Sequence, residues 1–122
     1  MKVLVADDDQ DQLALRCMLL ARSGFDALPA TDAATAAGLA AEHKPQCAVV
    51  DLRLPTPEHG LQLVHDLKAL DPGMHVFVLT GGDGGRLAQA PESELVDAVL
   101  TKGSASAVLI QKLRTVAAGR PR

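Results

Sequence analysis

Val3-Leu4-Val5-Ala6-Asp7-Asp8-Asp9, residues 3–9, sets four apolar residues directly against three acids. A short continuous apolar run of this kind suits a strand covered on both faces, as in a parallel sheet flanked by helices. The pattern recurs along the chain. Cys47-Ala48-Val49-Val50 ends in Asp51, Val76-Phe77-Val78-Leu79 ends at Thr80, and Val96 to Thr101 ends at Lys102. Phe25 to Ala30 reads as a weaker strand. Pro29 cannot donate to a ladder, which pushes that strand toward the edge of its sheet.

Helical segments separate the strands. Leu13, Cys17 and Leu20 lie near one helical face, and Gly24 suits the residue just past a helix end. Asp32 is placed to cap an Ala-rich helix running to about His43, with Pro45 after the stop. Leu54 to Gly60 reads as a loop, stiffened by Pro57, leading into a helix over 61–70 in which Leu61, Val64 and Leu67 have helical spacing. Ser104 is placed to cap a last helix with Val108, Leu109, Leu113 and Val116 on one stripe. Between the fourth and fifth strands, Gly81, Gly82, Gly84, Gly85 and Pro91 point to a short or irregular helix. Five strands alternating with helices give an α/β fold: an open parallel sheet with right-handed crossovers and helices on both faces.

Composition narrows the function. The 122 residues are 48% apolar and 22% charged, which fits one domain, expected over residues 1–118 with 119–122 as a tail or the start of a linker. These 122 residues leave no room for an output domain, and a stand-alone protein and a piece of a longer one both stay open. A net charge of −3 gives no global reason to seek nucleic acid or an anionic membrane. Phe25 and Phe77 are the only aromatics, too few for a base-stacking platform. No apolar stretch approaches the ~20 residues that span a bilayer, and the N-terminus turns acidic too soon for a secretory signal. Cys17 and Cys47 read as two reduced core thiols of a cytoplasmic protein. The four histidines lack metal-ligand spacing and read as solvated or half-buried.

Ligands of such sheets sit outside the carboxyl ends of the strands. Those ends carry Asp7-Asp8, Asp51, Thr80 and Lys102. Taken singly, each has an ordinary explanation: capping for Asp7, Asp9 and Asp32, a turn for Thr80, a solvated charge for Lys102. Their joint placement argues for chemistry. Two carboxylates ~4 Å apart repel by ~4 kcal/mol at an effective dielectric near 20, which a cation must offset. Oxygen ligands suit Mg2+. A cation, a lysine and a hydroxyl donor together are what a transferring phosphoryl group needs, leaving one carboxylate to act as nucleophile.

From Lys2 to Ala118 the chain resembles the receiver domain of two-component response regulators. The matching pieces are Val-Leu-Val-Ala-Asp7-Asp8, Val-Val-Asp51-Leu-Arg53-Leu-Pro55, Val-Leu-Thr80-Gly and Leu-Thr-Lys102. The resemblance implies a flavodoxin-like sheet in the order 2-1-3-4-5. It implies Asp51 as phosphoacceptor and Mg2+ as cofactor, held by Asp8 directly, by Asp7 mainly through a bound water, by Asp51 and by the backbone carbonyl of Arg53. Lys102 would pair with the phosphoryl group, and Thr80 would donate its hydroxyl to it and move inward on activation. The donor would be a phosphohistidine on a sensor histidine kinase or a histidine phosphotransfer protein, and the output an unknown downstream protein. No enzyme activity is implied beyond the domain's own phosphorylation and dephosphorylation, and no nucleic acid or membrane contact through this domain.

The chain departs from that family in three places. Gly103 stands where proline usually follows the lysine with a cis bond; a cis bond without proline costs ~3 kcal/mol, so a trans or a strained bond is expected. Val99 stands where an aromatic ring usually swings with the threonine. It reads as a core-facing strand residue, so the response to phosphorylation is expected not to use ring rotation. The Asp51–Gly60 loop is one residue longer than usual. Three other functions compete. A protein-binding module that keeps a degenerate site would not be phosphorylated. An aspartyl phosphatase is disfavoured by Arg53, where a second acid is usual. A flavin or nucleotide binder would need a glycine-rich loop after the first strand.

Overall fold

The computed structural model describes residues 1–81, 94–101 and 105–119, the side chains of 105, 106 and 119 excepted. Five strands form one parallel sheet in the order β2-β1-β3-β4-β5: β1 (Lys2–Ala6), β2 (Asp26–Ala30), β3 (Cys47–Asp51), β4 (His75–Thr80) and β5 (Ala98–Thr101). The expected α/β class and strand order are both observed. The strand carrying Pro29 lies at one edge, its proline level with Val5 of β1. Four helices are described: α1 (Gln10–Arg22), α2 (Ala33–His43), α3 (Pro57–Leu70) and α4 (Ala105–Gly119). The irregular helix expected between β4 and β5, and the Ser104 cap, fall outside the described residues.

Alternation along the strands divides the core into two layers. Leu4, Ala6, Ala48, Val50, Val76 and Val78 pack with Ala36, Ala40, Leu63, Val64 and Leu67 of α2 and α3. Val3, Val5, Cys47, Val49, Phe77 and Leu79 pack with Leu13 and Leu20 of α1 and Leu109 and Leu113 of α4. Helices therefore cover both faces, as the continuous apolar strands require.

The helix ends follow local chemistry. Asp9 caps α1 by accepting from the backbone N–H of Asp11 and Gln12, and Gly24 just beyond it takes φ +92°. Asp32 caps α2 by accepting from Thr35, and that hydrogen bond holds its carboxyl below the usual range.

Several expectations need correction. Helix α3 begins at Pro57, not Leu61: Thr56 is its N-cap and Pro57 sits in the first turn, where its missing N–H and fixed φ suit a helix. Pro57 thus opens the helix rather than stiffening a loop. The inward face of α1 holds Leu13, Leu20 and the half-buried Cys17 as expected, and it also takes in Arg16, which is buried. Both thiols are free; Cys47 is a core residue, and burial pushes the Cys17 thiol up despite the nearby Arg16 charge. Val108 is exposed, so the stripe of α4 is Leu109 and Leu113 with Val116 at its margin. Val99 is 48% exposed rather than core-facing, because in the short edge strand β5 it is Leu100, one residue on, that turns into the core.

Candidate functional site

The rim at the carboxyl ends of the strands is built by register. Ala6 of β1 lies beside Val50 of β3, so Asp7 follows next to Asp51. Asp51 lies beside Leu79 of β4, and Thr80 follows, level with Thr101 of β5. Asp7, Asp51 and Thr80 are all buried, at 0%, 3% and 5% exposure, while Asp8 is exposed. One carboxylate oxygen from each of Asp7, Asp8 and Asp51 lies within 4.8 Å of the others. Three of the residues singled out in the sequence therefore converge on one point, with Thr80 at the end of the neighbouring strand. Lys102 and Gly103 lie outside the described residues, immediately after Thr101 in the chain.

The three consecutive acids do three different things. Asp9 caps α1. Asp8 faces solvent at the rim. Asp7 continues the parity of Val3 and Val5 toward α1, where its Oδ2 accepts from Arg16 Nη1 at 3.0 Å, and its Oδ1 accepts from the backbone N–H of Asp9 at 2.9 Å. Capping was the ordinary explanation for Asp7; an ion pair with a buried arginine is what the structure shows. Arg16 was not singled out by sequence reasoning. Its signal was there: a charged residue at i+3 from Leu13 and i−4 from Leu20 falls on the inward stripe and so demands a partner.

Asp51 is fixed by the turn that follows it. The backbone N–H of Arg53 donates to Asp51 Oδ1 at 3.1 Å, and the N–H of Leu52 donates to the carbonyl of Leu79 at 2.9 Å. Arg53 itself is exposed. Beneath this turn, α3 approaches so closely that a Cβ on Gly60 would stand 1.9 Å from the Leu52 carbonyl oxygen. No buried side-chain polar atom among the described residues lacks a hydrogen-bond partner.

The donor set is all oxygen, which suits Mg2+ rather than a softer ion. Oxygens on opposite sides of one Mg2+ are ~4.2 Å apart at ~2.1 Å per bond. A 4.8 Å cluster thus closes on one ion with a small movement, or with a water in place of one carboxylate. The exposure of Asp8 leaves room for the waters Mg2+ keeps. The residues present fit the ion.

Comparison with known proteins agrees with this geometry. Residues 3–114 match the family model described as response regulator receiver domain. The transcriptional regulatory protein PrrA of Mycobacterium tuberculosis is 39% identical over 79 residues, 65% of this chain and 34% of its own length. The chain thus spans about a third of the length of the curated relatives it matches. A receiver domain protein from Clostridium thermocellum superimposes with a TM-score of 0.83 at 24% identity, covering 93% of this chain and 91% of that one. A response regulator protein from Burkholderia pseudomallei, with a phosphorylated aspartic acid, calcium ion and citrate, does so with a TM-score of 0.81 at 28% identity, covering 96% and 68%.

Proposed function

This chain belongs to the response regulator receiver domain family, and on that premise we propose that Asp51 is its phosphoacceptor, taking a phosphoryl group from a phosphohistidine of a sensor histidine kinase or a histidine phosphotransfer protein. The observation that carries this reading is the convergence of Asp7, Asp8 and Asp51 carboxylate oxygens within 4.8 Å at the carboxyl rim of the sheet. Such a cluster is unfavourable without a cation, and it leaves a carboxylate beside the place where the cation would be.

Mg2+ would be held by Asp8, by Asp51 and the backbone carbonyl of Arg53, and by Asp7 through a water. When bound, it supplies positive charge to the phosphoryl oxygens. The chain's own residues do the rest. An Asp51 oxygen attacks phosphorus, the P–N bond to the donor imidazole breaks, and its electron pair stays on that nitrogen. The product is an acyl phosphate on Asp51. Burial of Asp51 and its hydrogen bond from Arg53 N–H orient the attacking carboxylate and limit access of hydrolytic water. Thr80 donates its hydroxyl to a phosphoryl oxygen, and Lys102 pairs with another. The response regulator protein from Burkholderia pseudomallei, whose structure contains a phosphorylated aspartic acid and a calcium ion, supports this reading.

Signalling then proceeds by a conformational change read by a downstream protein, or by onward transfer. Val99 is exposed and has no ring, so the readout works without aromatic rotation. No helix among the described residues is long and apolar enough to cross a membrane.

Incubation with acetyl phosphate and Mg2+ tests the reading. The wild-type chain is expected to gain one phosphoryl group by intact mass, and Asp51→Asn to gain none. Undiminished labelling of Asp51→Asn would remove Asp51 from the role. No labelling of the wild-type chain at any metal concentration would favour a protein-binding module that keeps the acids without using them.

A further inference from the structure

We propose that Arg16 is a built-in counter-cation of the acid pocket, which occupies Asp7 and so sets how tightly the pocket holds a divalent ion. The proposal rests on the reading of this rim as a Mg2+-dependent phosphoacceptor site. Arg16 is 8% exposed, midway along α1, between Leu13 and Leu20 on the stripe that faces the sheet. A guanidinium in that position is tolerated only if paired. Its partner is Asp7, itself 0% exposed, at 3.0 Å.

The other oxygen of Asp7 accepts from Asp9 N–H. Both Asp7 oxygens are therefore engaged before any metal arrives. A cation reaching the pocket competes with Arg16 for the same carboxylate and is repelled by the guanidinium. Arg16 thus has two effects of opposite sign: it stabilises the metal-free fold and weakens metal binding.

Calorimetric titration with Mg2+, at fixed ionic strength, tests this on the full chain. The chain has neither Trp nor Tyr, so heat rather than intrinsic fluorescence is the readout. Arg16→Met keeps the apolar stem and removes the charge. It is expected to bind Mg2+ about tenfold more tightly than wild type, to melt at a lower temperature without metal, and to gain more from added Mg2+. Arg16→Lys keeps the charge and should stay within about threefold of wild type. If Arg16→Met does not fold without metal, the Asp7→Asn/Arg16→Met double variant serves instead. It removes both charges of the buried pair and is expected to bind close to wild type, whereas Asp7→Asn alone, which leaves the guanidinium unpaired beside the pocket, binds more weakly.

An Arg16→Met chain that melts lower but binds Mg2+ with unchanged or weaker affinity would overturn the proposal, leaving Arg16 as a packing residue only. That result would not touch the phosphoacceptor reading, which stands or falls with labelling of Asp51. If neither wild type nor Arg16→Met binds Mg2+ and Asp51 is not labelled, both readings fall together.

Discussion

Gly60 shows how much a single residue decides at this site. A Cβ there would stand 1.9 Å from the Leu52 carbonyl oxygen and 2.7 Å from its carbon, and backbone cannot swing aside as a side chain can. Gly60→Ala must therefore push α3 off the turn that holds Asp51. It is expected to lose about 3 kcal/mol in urea denaturation, at the upper end of the cost of overpacking, and to slow Asp51 labelling. A loss below about 1 kcal/mol would show that the contact relaxes easily. The same scale explains what was legible in the sequence. Asp7, Asp8, Asp51 and Thr80 could be placed because a parallel sheet brings its strand ends to one rim, so the order of elements alone makes them neighbours. Arg16 was missed because a charged residue on a helix is taken to face water, and only the packing of α1 shows that the Leu13–Leu20 stripe passes through it. Cys17 packs on the same layer beside Arg16, so the face is one residue wider than apolar spacing alone marks out.

At the scale of elements, strands were easier to place than helix starts. Continuous apolar runs bounded by acids have one reading in a doubly covered sheet, whereas the fixed φ of Pro57 suits both a stiffened loop and the first turn of a helix. Val99 and Val108 turn outward while Leu100 and Leu109, one residue on, turn into the core, a one-residue difference in facing that neighbouring apolar residues leave open in the sequence. The short β5 is held at its start by one side chain. Asp97 Oδ2 accepts from the backbone N–H of Val76 at 2.7 Å and lies 3.3 Å from Lys68 Nζ, while the N–H of Asp97 donates to the Val76 carbonyl at 2.8 Å. Asp97→Ala would strip the Val76 N–H of its acceptor at a buried strand position and leave a largely buried ammonium without its carboxylate. A cost of about 2 kcal/mol is expected, together with faster hydrogen exchange at Val76. Unchanged exchange at that amide would show that β5 is held by its ladder alone.

For the molecule as a whole, the rim is where the fold works against itself. Two well-packed layers on either side of the sheet supply the stability, while three carboxylates gathered at one end oppose it. Arg16 offsets part of that repulsion from inside through Asp7, and the exposed Asp8 is left to be balanced from outside. Removing the Asp8 charge should therefore stabilise the metal-free protein even though it harms the site. Asp8→Asn is expected to raise the metal-free thermal midpoint by about 4 °C, corresponding to about 1 kcal/mol after allowance for solvent screening. Millimolar Mg2+ should shrink or reverse the difference, because wild type gains more from binding the ion than the variant does. Melting curves of the two proteins with and without Mg2+ check both halves. A lower metal-free midpoint for Asp8→Asn would mean that Asp8 makes contacts worth more than the repulsion it brings, and that the acids at this rim do not strain the fold.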